Sequence, residues 1–585
     1  MFAKAQMAII AFVQSDKQIT RGVYVSLKAF MINNIFLLLV MMAFNHSVLA
    51  AQSPSAGSQI LQIPPPSTPP KSMPEVELEG GATPAIPKTD NVRIVVKGLK
   101  ITGVHAYSES VLIALTGFNS GNELELADLR LMALKIVDFY HRSGYFVAQA
   151  YLPVQDIKDG IVTIAVIEGH YGKVTLHNHT NLSDKLANTF LSGLSNGDLI
   201  TSAPLENSLL LLSDLPGVRI KSTLAKGSSI GSSDLIVDIT TEQRVTGSVD
   251  ADNAGNRYTG INRIGATVNL NNAAGLGDIA TLRTLTSGSG LNYARVSYQL
   301  QFGKAKAGIA YSSLAYALGQ EFESLQANGT ANIASLYGSY PLIRSRNNNL
   351  YMQLAFDSKI FQDKIDLITT VTDKRIDVWT TSLNGDHRDN FAGGGLTSYS
   401  ISWIAGNLNI QTPSLLTSDA VTVQSNGAYD KLGINAMRLQ NVTDFTSLYV
   451  QIIGQVASKN LDVSEKMELG GMYAVRAYPE GESYADQGYV LNLETRTLLP
   501  KISEKMSGKM QLIGFVDTGT VKANKFIWTP EPKSRSLSGA GIGINWTGSN
   551  NFVVKAYYAH KLGDDAATSA PDKSGRIWIQ GVKYF

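Results

Sequence analysis

The chain has 585 residues and carries 50 Lys and Arg against 48 Asp and Glu, a formal net charge of +2, and so even a balance excludes a strongly basic nucleic-acid binder and an acidic solvating tail. Charged residues make up only 17% of it, while 52 Gly, 24 Tyr and 19 Phe speak against a mainly helical enzyme. Cysteine is absent, which excludes disulfide staples, a Cys-ligated zinc and a thiol nucleophile.

Ile35 to Phe44 (IFLLLVMMAF) is an apolar run of ten residues, preceded by Arg21 and Lys28 and followed by Val48-Leu49-Ala50. Residues 1–50 therefore read as a secretory signal cleaved after Ala50. A lone anchor helix is the alternative, although ten apolar residues are about half of a bilayer span. From Ala51 to Asn91 the chain is crowded with Pro and small polar residues, so 51–91 reads as a Pro-rich periplasmic linker with no clear amphipathic helix.

Residues 92–243 carry one order of elements twice. Val92 to Ile101 reads as a strand, Ser108 to Leu115 as a short helix, and Leu126 to Arg142 as a helix with Leu126, Leu129, Ala133, Ile136, Val137 and Tyr140 on one face. Val147 to Leu152 and Ile161 to Glu168 follow as strands, the second entered through Asp159-Gly160. The order returns with a strand at Tyr171 to His177, helices at Ser183 to Leu191 and Pro204 to Leu215, and strands at Arg219 to Ala225 and Asp234 to Thr241. This is a tandem repeat of a small α+β module, 92–169 and 170–243.

From Arg244 to Phe585 everything reads as strand and turn. Ala540, Ile542, Ile544 and Trp546 alternate with Gly539, Gly541, Gly543 and Asn545, and Tyr489, Leu491 and Leu493 with Asn492, Glu494 and Arg496. One apolar face and one small or polar face suit a transmembrane barrel, though a sandwich would alternate in the same way. Sixteen segments can be placed between Arg244–Asn253 and Arg576–Phe585, an even number as a single-chain bacterial barrel needs. The long connections, at 315–330, 362–373, 408–428 and 458–488, all fall after odd strands, whereas Gly303–Ala305 and Gly548–Asn551 are short turns after even ones. A sandwich does not predict that sorting.

Three stretches carry a resemblance: Tyr151-Leu152-Pro153-Val154-Gln155-Asp156-Ile157 with Val166-Ile167-Glu168-Gly169; Val475-Arg476-Ala477-Tyr478 in the longest connection; and Gly514-Phe515-Val516-Asp517-Thr518-Gly519 on the thirteenth strand. In these the chain resembles the TpsB transporters of two-partner secretion, the haemolysin activation/secretion proteins (ShlB/FhaC/HecB) of the BamA-like outer-membrane assembly superfamily. The resemblance implies two POTRA modules in the periplasm, a 16-stranded outer-membrane barrel over 244–585, and export of one large unfolded exoprotein of the haemolysin or adhesin type. It also implies that the loop 458–488 folds inward so that Arg476 pairs with Asp517, with Val475, Ala477 and Tyr478 shaping the loop and Gly514, Phe515 and Gly519 the strand. Ala477 stands where the family usually has Gly. Terminal Phe585, beside Tyr584, suits recognition by the barrel-insertion machinery, with Lys583 where an aromatic is usual.

Partner recognition is expected on the first module, at an exposed strand edge or beside the long helix, with Leu126, Leu129, Tyr140, Tyr151, Pro153 and Gln155 as candidates. No catalytic residue, metal, cofactor or nucleic acid is expected. Gly227-Ser228-Ser229-Ile230-Gly231 matches a nucleophile motif but lies between strands, without the strand-to-helix elbow. His177 and His179 read as solvated histidines at a strand end, and Gly275 to Ala280 as a barrel turn, since no helix follows it. The sequence therefore points to an outer-membrane pore that recognises an exoprotein through its modules and secretes it. A barrel-assembly factor of the same superfamily, a passive diffusion porin and a surface hydrolase remain as alternatives.

Overall fold

The computed structural model describes residues 54–65, 76–78, 93–501, 507–528 and 534–585. The reading of 1–50 as a signal lies outside the described residues.

In the first module, strands β2 (Arg93–Val96) and β4 (Asn122–Glu125) pair with each other, while β3 (Gly98–Thr102), β5 (Gln149–Tyr151) and β6 (Ile161–Ile167) form a sheet in the order β3-β6-β5. The expected single strand over 92–101 is thus two. At Lys97 the chain changes partner, its N–H donating to the Gly160 carbonyl at 2.8 Å. Helices α2 (Glu109–Thr116) and α3 (Leu126–Arg142) cover the sheet, and α3 buries Leu129, Met132, Ala133, Ile136 and Tyr140.

Under α3 lies Glu168. Its carboxylate accepts the N–H groups of His105 and Ala106, each at 2.8 Å, and the Tyr140 hydroxyl at 2.7 Å. Burial alone would raise its pKa, but these donors and the nearby His105 outweigh that and hold it below the ordinary glutamate value. Burial beside this carboxylate pushes the Tyr140 hydroxyl up.

The second module has a four-stranded sheet in the order β1-β8-β9-β7, formed by β7 (His170–Asn178), β8 (Val218–Lys226), β9 (Ser232–Thr241) and β1 (Val76–Leu78), with helices α4 (Asp184–Leu191) and α5 (Ser202–Ser213). Strand β1 comes from far upstream and pairs parallel to β8, Val76 opposite Ser222. The helices contribute Phe190, Leu205, Leu209 and Leu212 to a core completed by Ile220, Leu235 and Val237 of the sheet.

Sixteen antiparallel strands then close a barrel, from Val245–Asp252 to Gly575–Tyr584. The first and last strands pair from Ser248 opposite Tyr584 to Asp252 opposite Gln580, and Phe585 and Gly247 exchange both backbone hydrogen bonds. Lys583 turns outward, and its ammonium reaches the Asn550 carbonyl. All sixteen expected segments are strands, several of them longer than the apolar pattern shows. Strands 6 to 8 have 18, 18 and 20 residues, more than an outward apolar band of about 25 Å needs. Their outward face changes character at the Phe356–Trp379 pair, 4.9 Å between ring centres, beyond which Ser358 and Asp377 are hydrogen-bonded at 2.7 Å.

Two far-rim connections differ from expectation. The loop read over 362–373 is a hairpin extension, because strand 7 runs to Ile365 and strand 8 begins at Thr370. The connection read over 408–428 contains a helix, α6 (Pro413–Val421), started by Pro413.

The 51–91 linker reading needs a larger correction. Helix α1 (Ala56–Leu61) lies inside the barrel, with Ala56, Ser58 and Gln59 buried. Its first N–H groups are satisfied by a Ser55–Ser58 capping box and by Asp363 of strand 7, which accepts from Ala56 N at 2.7 Å. A six-residue helix whose only large apolar residues are the adjacent Ile60 and Leu61 has no repeating apolar stripe to show in sequence.

On the rim that carries the modules, the second module is bonded to the barrel turns. Arg344 clasps Asp214 through Nε and Nη2, both at 2.8 Å, and the Ser183 N–H donates to the Gly275 carbonyl at 2.8 Å. Gly275 belongs to the glycine-rich turn between strands 2 and 3, where the added Cβ of any other residue would stand 2.2 Å from the Asn181 carbonyl oxygen.

Glu168→Gln leaves a buried amide N–H₂ without an acceptor and should cost the first module about 1–3 kcal/mol. Because the native carboxyl titrates below its unfolded value, its stabilisation is present above the unfolded pKa and is lost as pH falls through the folded one. Thermal unfolding of the tandem modules on an acid series should show a steeper loss for the wild type than for Glu168→Gln.

Candidate functional site

The connection between strands 11 and 12 does not project from the far rim. It folds into the lumen, where Met467–Glu468 pairs with Tyr484–Ala485 at its neck. At its tip, Tyr478 N donates to the Val475 carbonyl at 3.1 Å, a tight turn that points Arg476 at the barrel wall.

Arg476 is 4% exposed. It reaches Asp517 of strand 13 through Nε at 2.8 Å and Nη2 at 2.7 Å, and its own backbone N–H adds a third bond to Asp517 at 3.1 Å. Nη1 donates to Glu494 of strand 12 at 2.8 Å. The guanidinium carbon lies over the Phe515 ring, 3.5 Å from its centre. The remaining capacity of Asp517 is met by Asn492 Nδ2 at 2.7 Å, and Trp578 Nε1 donates to the Arg476 carbonyl at 2.7 Å. A planar cation with five donors is thus bound by two carboxylates and one aromatic face, a geometry that an ammonium cannot reproduce.

Glu494, Asn492 and Trp578 were not among the expected site residues. The alternation in strand 12 had already placed Asn492 and Glu494 on the inward face, so the signal was present without a reason to choose them. The Ala477 methyl is fully buried, and Gly539 of strand 14 makes room for it: a Cβ on Gly539 would stand 2.4 Å from that of Ala477. Gly519 likewise makes room for Leu469 of the loop, whereas Gly514 faces outward with nothing near it. Tyr478 is buried and its hydroxyl donates to the Asp565 carbonyl at 3.1 Å.

The loop is held along its whole length. Asp462 pairs with Lys374 at 2.8 Å, Glu465 with Lys359 at 2.6 Å and Lys431 at 3.0 Å, and Asp486 with Lys466 at 3.1 Å. Glu482 accepts from Arg535 and from the backbone of Thr568 and Ser569. Beside the Arg476 cluster a cavity of about 600 Å³ remains, lined among others by Pro64, Pro65, Tyr449, Arg496, Lys555 and Tyr557.

The residues expected to recognise a partner are divided by the structure. Leu129 and Tyr140 are 1% and 0% exposed, so neither presents a surface. The helix face assigned to binding is the one that builds the core, and Leu131 and Leu134 are the leucines that α3 exposes. Leu126 and Pro153 are half-buried and Tyr151 is exposed. Gln155 is turned inward, where its amide donates to the Thr163 carbonyl at 2.8 Å and accepts the Thr163 N–H at 2.7 Å. Its side chain thereby continues the pairing that β5 gives up after Tyr151.

The Gly227–Gly231 motif lies in the turn between β8 and β9, His177 bonds Asp238 at 3.0 Å on the module surface, and no His, Cys, Asp and Glu group suited to a metal occurs among the described residues.

Comparison with known proteins places this architecture. The family model of haemolysin secretion/activation protein ShlB/FhaC/HecB matches residues 231–546, and that of the ShlB-type POTRA domain matches residues 94–169. The heme/hemopexin transporter protein HuxB of Haemophilus influenzae is 29% identical over 473 residues, covering 80% of this chain and 82% of that protein. The outer membrane transporter CdiB of Dickeya dadantii is 21% identical, covering 73% and 75%. Among solved structures, CdiB from Escherichia coli superposes with a TM-score of 0.65 at 19% identity, covering 86% of this chain and 93% of that one. BamA from Haemophilus ducreyi lacking POTRA domains 1–3 gives 0.51 at 15% identity over 84% of this chain and 99% of that one, a likeness of fold.

Arg476→Ala strands the Asp517 carboxylate in the lumen with only Asn492 beside it, while Glu494 keeps Arg496, an expected local cost of about 3–5 kcal/mol. Protease sensitivity of the loop should rise while the barrel keeps its heat-modifiable migration. The double change Arg476→Ala with Asp517→Ala should be no worse than either single one, the non-additivity of two groups acting through one contact.

Proposed function

The chain belongs to the ShlB/FhaC/HecB family of haemolysin secretion/activation proteins, and from that premise we propose how it handles its cargo. It is an outer-membrane two-partner secretion transporter whose barrel is the pore for a secreted partner protein. The modules lie in the periplasm and take up the partner unfolded. The exposed leucines of α3, Leu131 and Leu134, receive an apolar stretch of it, supported by their 56% and 49% exposure on a helix whose other face is committed to the core. The partner then enters the barrel, and its folding outside draws the chain through by mass action, so that no bond chemistry is performed by this protein.

The single observation that carries the proposal is the Arg476–Asp517–Glu494 cluster. It closes a barrel that a polypeptide must cross, and so it serves as the resting lock of the pore, with α1 as a second obstruction. The outward change from Trp379 to Asp377 supports placing the outer lipid boundary there. Phe585, paired with Gly247 at the closing seam, supports a role in recognition by the insertion machinery. A barrel-assembly factor is the other reading within the superfamily; two modules and a helix held in the lumen favour secretion.

Two experiments test this. With no native cysteine, single cysteines at Ser324 and Ser549, both exposed and on opposite rims, report sidedness: labelling of intact cells is expected at the first and absent at the second. Leu131→Asp with Leu134→Asp should weaken binding of the partner's N-terminal portion about tenfold or more without unfolding the module. A haem- or haemopexin-handling exoprotein, suggested by the name of the Haemophilus relative, is the partner to try first. Unchanged binding would remove the α3 surface from the proposal.

A further inference from the structure

The lumen wall across strands 3 to 7 departs from what a water-filled barrel requires. Strand 3 (Ile279–Thr286), strand 4 (Leu291–Phe302), strand 5 (Ala305–Ala317), strand 6 (Ala327–Arg344) and strand 7 (Asn348–Ile365) each turn one apolar residue inward at the same level. The register makes the row continuous: Leu285 stands opposite Tyr293, Tyr293 opposite Leu314, Leu314 opposite Ala331 and Ala331 opposite Phe361. None of them is more than 9% exposed. The interior of a water-filled barrel is polar, and two residues nearer the modules this wall becomes so, with Arg283, Arg295, Ser312 and Lys359 in the row beside Ile333. Those cations are held, Arg283 by Asp250, Lys359 by Glu465 and Arg295 by Ser312 Oγ at 3.0 Å.

At rest the apolar row is covered by this chain itself. Ala56 of α1 belongs to the same buried cluster, Ile60 and Ile63 pack against it, and Tyr258, Phe322 and Leu325 close over it from the far-rim connections. The seat is close. Ala56 N donates to Asp363, two residues along strand 7 from Phe361, and a Cβ on Gly57 would stand 2.9 Å from Ser464 Cβ and 3.1 Å from Val463 Cγ1 of the inward loop. Just past the helix, Gln62 turns the other way, its Nε2 donating to the Tyr484 hydroxyl of that loop at 2.6 Å. The resident segment thus lays apolar side chains on the row and polar ones on the charged side of the lumen, and so shows which chemistry each wall accepts.

We infer that Leu285, Tyr293, Leu314, Ala331 and Phe361 form a hydrophobic collar that binds apolar side chains of the exported partner in transit, taking over from α1 when the helix leaves its seat. This rests on the reading of the barrel as the partner's pore. An uncovered collar faces water, and a polypeptide that carries Val, Ile, Leu or Phe on one side buries it again. Across the lumen stand Asp517 of strand 13 and Glu494 of strand 12, the polar wall that holds Arg476 at rest. The segment that fits between the two walls is extended, because only a period of two puts apolar side chains on one face and polar ones on the other along its whole length. The collar therefore selects an unfolded chain of alternating apolar and polar residues.

The test is ion conductance of the full chain in planar lipid bilayers. Gly57→Val, whose side chain collides with the inward loop, uncovers the collar and should raise pore opening severalfold. In that background two peptides of equal length are added on the module side as blockers, one alternating Val with Gln and the other Ser with Gln. The Val peptide should block at about a tenth of the concentration or less. Adding Leu314→Asn should cut that preference severalfold, and Leu285→Asn should do the same, a second variant in case one fails to insert. If the row only seats α1, the preference survives both substitutions, which overturns the inference. Equal block by the two peptides, or no rise in opening in Gly57→Val, overturns it too. The measurement contains no exported partner, so the collar can fail while the chain still secretes, and the two outcomes stay distinct.

Discussion

A guanidinium enclosed by a barrel wall has to be matched by fixed charges, and this constraint organises the lumen. Arg476 finds Asp517 and Glu494 on neighbouring strands, with the Phe515 ring beside it, and at that depth each of its three guanidinium nitrogens meets a carboxylate. Once the tip is placed, the rest of the loop lies along the wall, where Asp462 and Glu465 meet the cations of strands 7, 8 and 10. A buried ion cluster of this kind contributes little net stability compared with an apolar filling, and breaking it is costly. That asymmetry suits a contact that must hold one position and be released as a unit.

The loop also determines where α1 rests. Tyr484 and Arg263 hold the helix end, and Asp363 holds its start. Downstream on the same stretch of chain, β1 is a strand of the second module's sheet, and that module is clasped to the barrel through Arg344 and Asp214. Lumen and modules are therefore joined twice, through the rim contacts and through one continuous segment. An event at the modules has a covalent route into the pore, where the helix is held by a few hydrogen bonds and by the packing of Ala56, Ile60 and Ile63 against the wall.

Much of the fold was legible because its signals are local. Two-residue alternation located all sixteen barrel strands and the inward side of strands 12 to 14, and the 3.6-residue period delimited α3 at Leu126 and Arg142. Local periodicity also misled where a helix has two apolar faces: Leu129 and Tyr140 follow the same period as Leu131 and Leu134, and only packing decides which set builds the core and which faces solvent. The side-chain amide of Gln155 replacing a strand is likewise invisible until Thr163 is beside it.

By itself, then, the sequence determined the tandem modules, the strand count, the rim on which the long connections lie and, through family motifs, the Arg476–Asp517 pair. The tertiary structure alone decided that Glu494 completes that pair, that Gly539 admits Ala477, and that residues 56–61 form a helix within the lumen. Each of these contacts joins segments that no local period relates. They exist only because closing the barrel brings distant strands around one confined space, in which a charge needs a partner.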